Sequence, residues 1–132
     1  MPHRKPPPNR KIKTAKRRAM AQGLRAETLA AFYLRLKGYR ILARNLRVAG
    51  GEVDMVARRG NVLVFVEVKY RPSLGGAQAV MHDAQWRRIA RAAAQYVGAR
   101  PALQRHHWRF DLIAMAPRQR PRHIKDAWRA PF

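Results

Sequence analysis

The sequence predicts an α/β fold in which helices cover both faces of a β-sheet built around a hairpin. Residues 21–37 and 83–97 carry apolar residues at a helical period. Between these helices, residues 52–57 and 62–70 form the two strand-like runs of the hairpin. A further strand-like run follows the second helix at residues 108–115. One domain is therefore expected, with a single modest core.

The hairpin is predicted from the polar turn at residues 58–61, in which Gly60 permits the chain to reverse. Side chains alternate across the second strand, and both of its faces begin apolar. One face carries Leu63, Phe65, Glu67 and Lys69, and the other carries Val62, Val64, Val66 and Val68. This pattern is typical of a central strand covered on both sides.

An acid and a lysine are thus placed in a covered strand. Burial of an unpaired charge costs several kcal/mol, so Glu67 and Lys69 need each other, a metal ion or an open cleft. If the hairpin pairs in simple register, Asp54 of the first strand comes within a few residues of Glu67 and can share its face. We therefore expect two carboxylates and an amine to converge on one point.

Charge is the strongest compositional signal. The chain has 29 Lys and Arg residues against 7 Asp and Glu residues, a formal net charge of +22. Such a chain attracts polyanions, so nucleic acid is the predicted partner and an anionic membrane surface a distant alternative. Acids are scarce, and three of the seven lie in the hairpin: Glu52, Asp54 and Glu67.

Other compositional features exclude several classes of protein. No window approaches the length of about 18 apolar residues of a membrane span, and no secretory signal pattern is found, so we expect a cytoplasmic location and no membrane partner. The chain has no cysteine, which excludes disulfides, thiolate metal sites and a cysteine nucleophile.

Residues 1–20 carry eight basic and no acidic residues, and three consecutive prolines. They are predicted to form a disordered basic arm. Lys16, Arg17 and Arg18 are candidate phosphate contacts, although a simple solubility tail remains the alternative. Residues 21–116 would form the α/β domain, and residues 117–132 a basic linker and a short closing element.

In the first helix, an apolar stripe is predicted to face inward, and Gly38 is expected to end the helix. The stripe consists of Leu29, Phe32, Tyr33 and Leu36. Glu27, the only acid of the helix, lies on a second apolar strip with Leu24, Ala31 and Leu34. Its carboxylate either pairs with Arg25, Arg35 or a backbone donor, or it points at the hairpin cluster.

Residues 39–48 predict a first strand with Ile41 and Ala43 on one face and Asn45 as a further candidate for that face. After the hairpin, residues 72–76 form a Pro- and Gly-containing loop that could move over a substrate. Asp83 is predicted to cap the second helix, which Gly98 would end. The inward face of that helix would be formed by Trp86, Ile89, Ala90, Ala93, Tyr96 and Val97.

The remaining polar residues have less specific interpretations. Arg87, Arg88 and Arg91 lie off the inward face of the second helix, either as a solvated surface or as phosphate contacts. In the last strand, Asp111 is interpreted as a structural partner of an arginine on a neighbouring strand. Residues Ile124, Ala127 and Trp128 would form the closing element, and His106, His107 and His123 are interpreted as surface residues.

The residue types in the hairpin suit phosphodiester hydrolysis. Carboxylate oxygens hold Mg²⁺, the metal polarises phosphate and activates water, and a neighbouring cation orients that water. Glu67 and Lys69 must be two residues apart to share a face, and Val68 between them can offer its carbonyl. This is the pattern of the restriction-endonuclease-like nucleases, written PD-(D/E)-x-K.

The similarity extends to one family. The stretches GLRAETLAAFYLRLKGYRILARNLR, GGEVDMVAR, VFVEVKYR and RFDLIA, with the ending HIKDAW, resemble the bacterial YraN-like family of small endonuclease-like proteins. That family is similar in fold to archaeal Holliday-junction resolvases. The resemblance implies a restriction-endonuclease-like α/β core with a mixed β-sheet, its central hairpin flanked by helices, and a homodimer.

Carried over by position, the resemblance implies roles for individual residues. Asp54, Glu67 and the Val68 carbonyl would ligate Mg²⁺ or Mn²⁺, and Lys69 would assist the water. Glu27 would support the metal shell through water, and Gln85 would help to position the site. Candidate nucleic-acid contacts are Arg58, Arg71, Arg87, Arg88 and Arg91, with Lys16, Arg17 and Arg18 of the arm.

Two functions are therefore weighed. The first is a Mg²⁺-dependent endonuclease acting on branched or structured nucleic acid, with DNA favoured over RNA. The second is a non-catalytic nucleic-acid-binding protein that keeps the nuclease fold. The placement of scarce acids favours the first, because a pure binder has no need of carboxylates that repel phosphate.

Overall fold

A five-stranded sheet with a helix against each face forms the protein. The computed structural model describes residues 25–72, 74 and 81–131. The strands are β1 (Arg40–Val48), β2 (Gly51–Arg59), β3 (Val62–Tyr70), β4 (His107–Met115) and β5 (Arg122–Trp128), and they are adjacent in that order. The helices are α1, at residues 25–36, and α2 (Asp83–Gly98), and a short 3-10 helix (Pro101–Leu103) precedes β4.

The sheet is mixed, because β3 and β4 run parallel while every other neighbouring pair is antiparallel. The crossover that a parallel pair requires is supplied by α2. One apolar cluster lies between α1 and the sheet, and a second lies between α2 and the other face. The predicted α/β fold with a mixed sheet flanked by helices is confirmed.

The hairpin of β2 and β3 closes with a two-residue turn. Arg59 pairs with Val62, so only Gly60 and Asn61 lie between the strands, and β2 is longer than predicted. Gly60 has a φ of +59° at the first central position, which suits a type II′ turn. At the other end, the pairing stops at Met55 and Val66.

Three of the four residues in the predicted stripe of α1 are exposed, and only Tyr33 packs partly against the core. Leu29, Phe32 and Leu36 are 56%, 59% and 72% exposed. The buried face consists instead of Ala26, Ala30, Ala31 and Leu34. Small alanine side chains allow the helix axis to lie close to the sheet, and periodicity alone does not distinguish the two apolar strips. The predicted stop is confirmed, since Gly38 has a φ of +89° and the Tyr39 N–H donates to the Leu34 carbonyl at 3.0 Å.

The predicted face of β1 is also wrong. A bulge between Ile41 and Ala43 shifts the register with β2, so Ile41 packs on the α1 side while Ala43 packs on the α2 side. Asn45 then has a φ of +50°, a left-handed conformation that asparagine tolerates better than most residues.

The inward face of α2 is confirmed, since all six predicted residues are buried. Asp83 is the first helical residue and not the cap, which is His82. The Asp83 carboxylate instead accepts hydrogen bonds from Arg87 at 2.6 Å and from the Trp128 indole at 2.9 Å. The helix approaches β2 so closely that a Cβ on Gly51 would collide with the backbone of α2.

The predictions for His123 of β5 and for the partner of Asp111 of β4 are also corrected by the structure. His123 is not a surface residue: its side chain is 2% exposed and its Nε2 lies 2.6 Å from Asp111 Oδ2. Asp111 pairs with an arginine of its own strand, because Arg109 donates two hydrogen bonds of 2.8 Å to its oxygens. The predicted closing residues Ile124, Ala127 and Trp128 lie in β5.

Several predictions fall outside the described residues. These are the arm at residues 1–20 with Lys16, Arg17 and Arg18, the start of the first helix, and most of the loop at residues 72–76. Within the described part of the chain, no helix has the length and apolar character needed to cross a membrane.

Candidate active site

The site lies where β2 and β3 separate. Beyond the last pair, Met55 and Val66, the Asp54 side chain takes over the role of a strand partner, because its Oδ2 accepts a hydrogen bond of 2.8 Å from the Val68 N–H. In a strand, the N–H and C=O of one residue point to the same edge. The Val68 carbonyl therefore lies on the Asp54 side of β3.

Glu67 is held on the α2 side of β3 by two side chains. Its Oε1 lies 3.2 Å from Lys69 Nζ and accepts a hydrogen bond of 3.2 Å from Gln85 Nε2 at the start of α2. Glu67 is 8% exposed, whereas the Lys69 side chain is 23% exposed. Glu67 and Lys69 therefore share one face of β3, as their spacing in the sequence predicts. Gln85 of α2 supplies the side-chain amide that the family resemblance implies at this position.

The two carboxylates compete for one proton. Burial, followed by the charge of Asp54, raises the pKa of Glu67 to about 7. Burial also raises the pKa of Asp54, which accepts a hydrogen bond from the Glu67 carboxyl. Lys69 offsets these effects only in part. Further positive charge at this point would favour the state in which both acids are ionised at neutral pH.

Glu27 of α1 lies near the same acids. Burial, followed by the charge of Asp54, raises the pKa of the Glu27 carboxyl, while a hydrogen bond with Asn45 lowers it. Its Oε2 is buried and has no hydrogen-bond partner among the described residues. Of the two interpretations of Glu27, the structure places it toward the hairpin cluster and not in an ion pair with Arg25 or Arg35.

The donor set fits Mg²⁺ or Mn²⁺ bound largely by water. Within residues 25–72, 74 and 81–131, no group of three or more His, Cys, Asp or Glu side chains could hold a metal ion. Two carboxylates, Asp54 and Glu67, and the Val68 carbonyl are available. Mg²⁺ commonly uses only one or two protein carboxylates and keeps several waters, whereas a zinc site needs more nitrogen or sulfur ligands.

Comparison with known proteins identifies the family. The profile described as "Uncharacterised protein family UPF0102" matches residues 26–115. The chain belongs to the UPF0102 family. The YraN-like resemblance is thereby confirmed at the level of the family.

Individual UPF0102 relatives match over most of their length. A UPF0102 protein from Parvibaculum lavamentivorans is 50% identical over 107 residues, which cover 81% of this chain and 80% of the relative. One from Paramagnetospirillum magneticum is 49% identical over 127 residues, covering 93% and 95%. One from Caulobacter vibrioides is 46% identical over 106 residues, covering 80% and 85%.

The predicted nucleic-acid contacts of this UPF0102 chain are spread over two regions. Arg71 is exposed and follows Lys69 by two residues, so it borders the site. Arg58 lies at the other end of β2, beside the turn. The three arginines of α2 border β2, but each is engaged within the protein: Arg87 with Asp83, Arg88 with Glu52 at 3.2 Å, and Arg91 with the Gly50 carbonyl at 3.2 Å.

Sequence reasoning missed the role of Asn45. Its left-handed conformation interrupts the alternation of β1 at the position opposite Asp54, and its side chain lies close enough to Glu27 to lower the pKa of that carboxyl. The available signal was weak: an asparagine inside a strand-like run, a residue type that favours such conformations. Asn45 therefore helps to position the acid contributed by α1.

A second buried polar cluster was also missed. It joins α1 to the sheet through Asp111, His123, Arg109, Tyr39 and Lys37. Arg109 donates to the Tyr39 hydroxyl at 2.7 Å, and Lys37 Nζ lies 2.7 Å from His123 Nδ1. With its Nδ1 facing an ammonium group, His123 donates from Nε2 to Asp111. The cluster holds β5 against β4 and lies apart from Glu67.

Proposed function

We propose that this UPF0102 protein is a Mg²⁺-dependent endonuclease that hydrolyses phosphodiester bonds in DNA, with branched or otherwise structured DNA as its substrate. The observation that carries the proposal is the placement of two carboxyls at neighbouring residues of β3: Asp54 accepts a hydrogen bond from the Val68 N–H, and Glu67 lies beside Lys69. These acids occur in a chain of net charge +22, where a surface that only binds phosphate would exclude them.

Each side chain of the site has a distinct part in this reaction. Mg²⁺ held by Asp54, Glu67 and the Val68 carbonyl would polarise the phosphate and lower the pKa of a bound water. Lys69 would orient the attacking water and balance the negative charge that develops on the phosphate. Gln85 fixes the rotamer of Glu67, and the free Oε2 of Glu27 can accept a hydrogen bond from a water molecule.

The second candidate is a nucleic-acid-binding protein without turnover. It is favoured by one observation, namely that both acids already have partners within the protein: Lys69 and Gln85 contact Glu67 Oε1, and the Val68 N–H donates to Asp54 Oδ2. In that case the acids are structural partners, and no metal would change the behaviour of the protein.

A cleavage assay separates the two candidates. Purified protein is incubated with labelled linear, flapped and four-way-junction DNA, and with single-stranded RNA, in Mg²⁺, Mn²⁺ or EDTA. The endonuclease proposal predicts products with either metal ion and none in EDTA, with the branched substrates cut faster. Binding without cleavage under every condition would favour the second candidate.

We also propose that two copies of the chain meet through α1. Leu29, Phe32 and Leu36 form an exposed apolar strip beside a groove of about 560 Å³ that Tyr70 and Met115 also line. Patches of this kind mark interaction sites. A strip on one helix can pack against its own copy about a two-fold axis, in an antiparallel arrangement that separates the like charges at equivalent helix ends.

Light scattering tests this interface. The wild-type protein should have the molar mass of a dimer, and Phe32→Asp should have that of a monomer with an unchanged circular dichroism spectrum. A monomeric wild-type protein at micromolar concentration would rule out the dimer and leave the proposed chemistry unaffected.

A further inference from the structure

Trp108, at the start of β4, is an exposed aromatic residue remote from α1. It is 38% exposed and is the one large hydrophobic residue outside α1 that is exposed in the described part of the chain. The other two tryptophans are packed, since Trp86 and Trp128 stack with their ring centroids 6.1 Å apart. A single exposed apolar residue is common on protein surfaces, so any role of Trp108 depends on what surrounds it.

The indole of Trp108 is held in place from one side. The Phe65 ring meets it edge-on, with a centroid distance of 5.4 Å and an interplanar angle of 65°. Trp108 also lines a groove of about 690 Å³ together with Val62, His107, Trp128 and Arg129. A supported ring beside an open groove is suited to stacking against a planar ligand.

The charges around the groove do not oppose an anionic ligand. Asp126 is the acid that lines it, and Arg129 neutralises this carboxylate with hydrogen bonds of 2.7 and 2.9 Å. Arg129 remains 85% exposed at the mouth of the groove. The acid therefore presents little barrier to phosphate, and the net charge of +22 attracts it.

The Trp108 side chain lies on the same face of the sheet as Glu67, at the opposite end of β3. Trp108 is in register with Leu63, which shares the face of Glu67 four residues further along β3. At the rise of a strand, these positions are roughly 13 Å apart. Leu63 and Phe65 are fully buried on this face, so a bound strand would pass over the protein surface by a path longer than about four stacked nucleotides at about 3.4 Å each.

We propose that Trp108 is a stacking platform for an unpaired nucleobase, in a single-stranded part of the nucleic acid bound at the carboxylate site. The inference rests on the proposed function and narrows its substrate class to nucleic acid that has a single-stranded part. Stacking on an aromatic ring is tolerant of sequence, because every base has a π-face. Phosphates flanking the base would contact Arg129.

Binding of an abasic oligonucleotide tests the stacking without any substitution. Full-length protein in EDTA is titrated into fluorescein-labelled dT12 and into a 12-mer of the same charge that lacks its bases. Stacking predicts about tenfold weaker binding of the abasic strand, the scale found for loss of a base–aromatic contact. Equal affinities would overturn the proposal.

Substitution then assigns the effect to one ring. Trp108→Leu should weaken dT12 binding about tenfold and remove the difference between dT12 and the abasic strand, while a 12-base-pair duplex binds as before. Trp108→Phe should retain most of the difference, and it also decides the matter if Trp108→Leu does not fold. The control is Gln104→Leu, an exposed position outside the groove lining, which should leave the difference intact.

The outcomes separate this proposal from the proposed function. A preference for dT12 that survives in Trp108→Leu would overturn the platform, and metal-dependent cleavage in the same preparation would show that the nuclease proposal stands. Failure of the wild-type protein to bind either single-stranded or duplex nucleic acid would overturn both.

Discussion

Glu67 is a buried acid whose raised pKa has a consequence for stability. Its pKa rises from 4.5 to about 7 on folding, so the folded state binds more protons than the unfolded state within that range. The free energy of unfolding therefore falls as the pH rises through this window, by up to about 3 kcal/mol. The carboxylate destabilises the metal-free protein at neutral and alkaline pH.

We predict that Glu67→Gln raises the stability of the metal-free protein. In EDTA at pH about 8, the gain should approach about 3 kcal/mol, because the amide carries no charge to bury. The gain should disappear at pH about 4, where the carboxyl of the wild type is protonated in both states. Urea unfolding followed by circular dichroism measures it. A lower stability of Glu67→Gln at both pH values would show that Glu67 is a structural partner of Lys69.

Metal binding at Asp54 and Glu67 gives a second prediction. Asp54→Asn or Glu67→Gln should abolish Mg²⁺ binding, measured by calorimetry, because each removes one of the two carboxylates. DNA affinity in EDTA should stay the same or increase, since each substitution removes a negative charge that faces phosphate. Weaker DNA binding by both folded variants would contradict this assignment.

Most of the site residues could be predicted from the sequence, and two polar residues could not. Asp54, Glu67 and Lys69 were predicted because strand alternation and register determine which residues share a face, whereas Gln85 was implied only by the family resemblance. Asn45 and His123 were not predicted, because each depends on an irregularity. Asn45 has a left-handed conformation, and His123 lies on a strand whose pairing with β4 is bulged at Asp111.

Among the strands and helices, β5 is attached to the rest of the sheet through Asp111. Asp111 is fully buried, and besides Arg109 and His123 it accepts a hydrogen bond of 3.0 Å from the Asp126 N–H. Burial acts to raise the pKa of Asp111, but the hydrogen bonds from His123 and Arg109 outweigh burial and lower it. The folded state therefore favours the ionised carboxylate.

We predict that Asp111→Asn destabilises the protein by about 3 kcal/mol at neutral pH, because it leaves Arg109 without its buried counter-charge. A folded-state pKa below the unfolded value means that this stabilisation is present above about pH 4 and is lost as the pH falls through the folded-state pKa. The difference in the free energy of unfolding between the wild type and Asp111→Asn should therefore become smaller at acidic pH.

Unfolding in urea at a series of pH values measures this effect. Asp126→Asn is the matched control, because its carboxylate is 40% exposed and pairs with Arg129 on the surface. The Asp126→Asn substitution should lower the free energy of unfolding by less than about 1 kcal/mol. An Asp111→Asn variant as stable as the control would contradict the role of Asp111.

The order of strands and helices was predictable, whereas the orientation of α1 was not. Two apolar strips wind around this helix, and their periodicity alone favours the one with larger side chains as the buried face. Burial of the alanine strip allows a closer approach to the sheet, and Leu29, Phe32 and Leu36 remain exposed. Periodicity reports amphipathic character but does not report which of two strips faces the sheet.

At the scale of the whole molecule, the positive charge should dominate the affinity for nucleic acid. The logarithm of the binding constant should fall steeply with the logarithm of salt concentration, with a slope near −0.9 for each phosphate contacted on duplex DNA. Deletion of residues 1–20 should flatten that slope and leave the circular dichroism spectrum unchanged. The same slope in the truncated protein would exclude the arm from the interface.

Lys69 is proposed to act in the hydrolysis step and not in folding or in binding of nucleic acid. Cleavage of a four-way junction in Mg²⁺ by wild type and Lys69→Met is the most direct measurement, because methionine keeps much of the side-chain packing and removes the charge. Lys125→Met, an exposed lysine of β5, is the matched control. We predict at least a roughly 10²-fold loss of rate for Lys69→Met, about 2.7 kcal/mol, with junction affinity unchanged and the control fully active. The wild-type protein should therefore show metal-dependent cleavage of at least one branched, single-stranded or RNA substrate that is lost in Lys69→Met. If no substrate shows this difference, the assignment of Lys69 is contradicted.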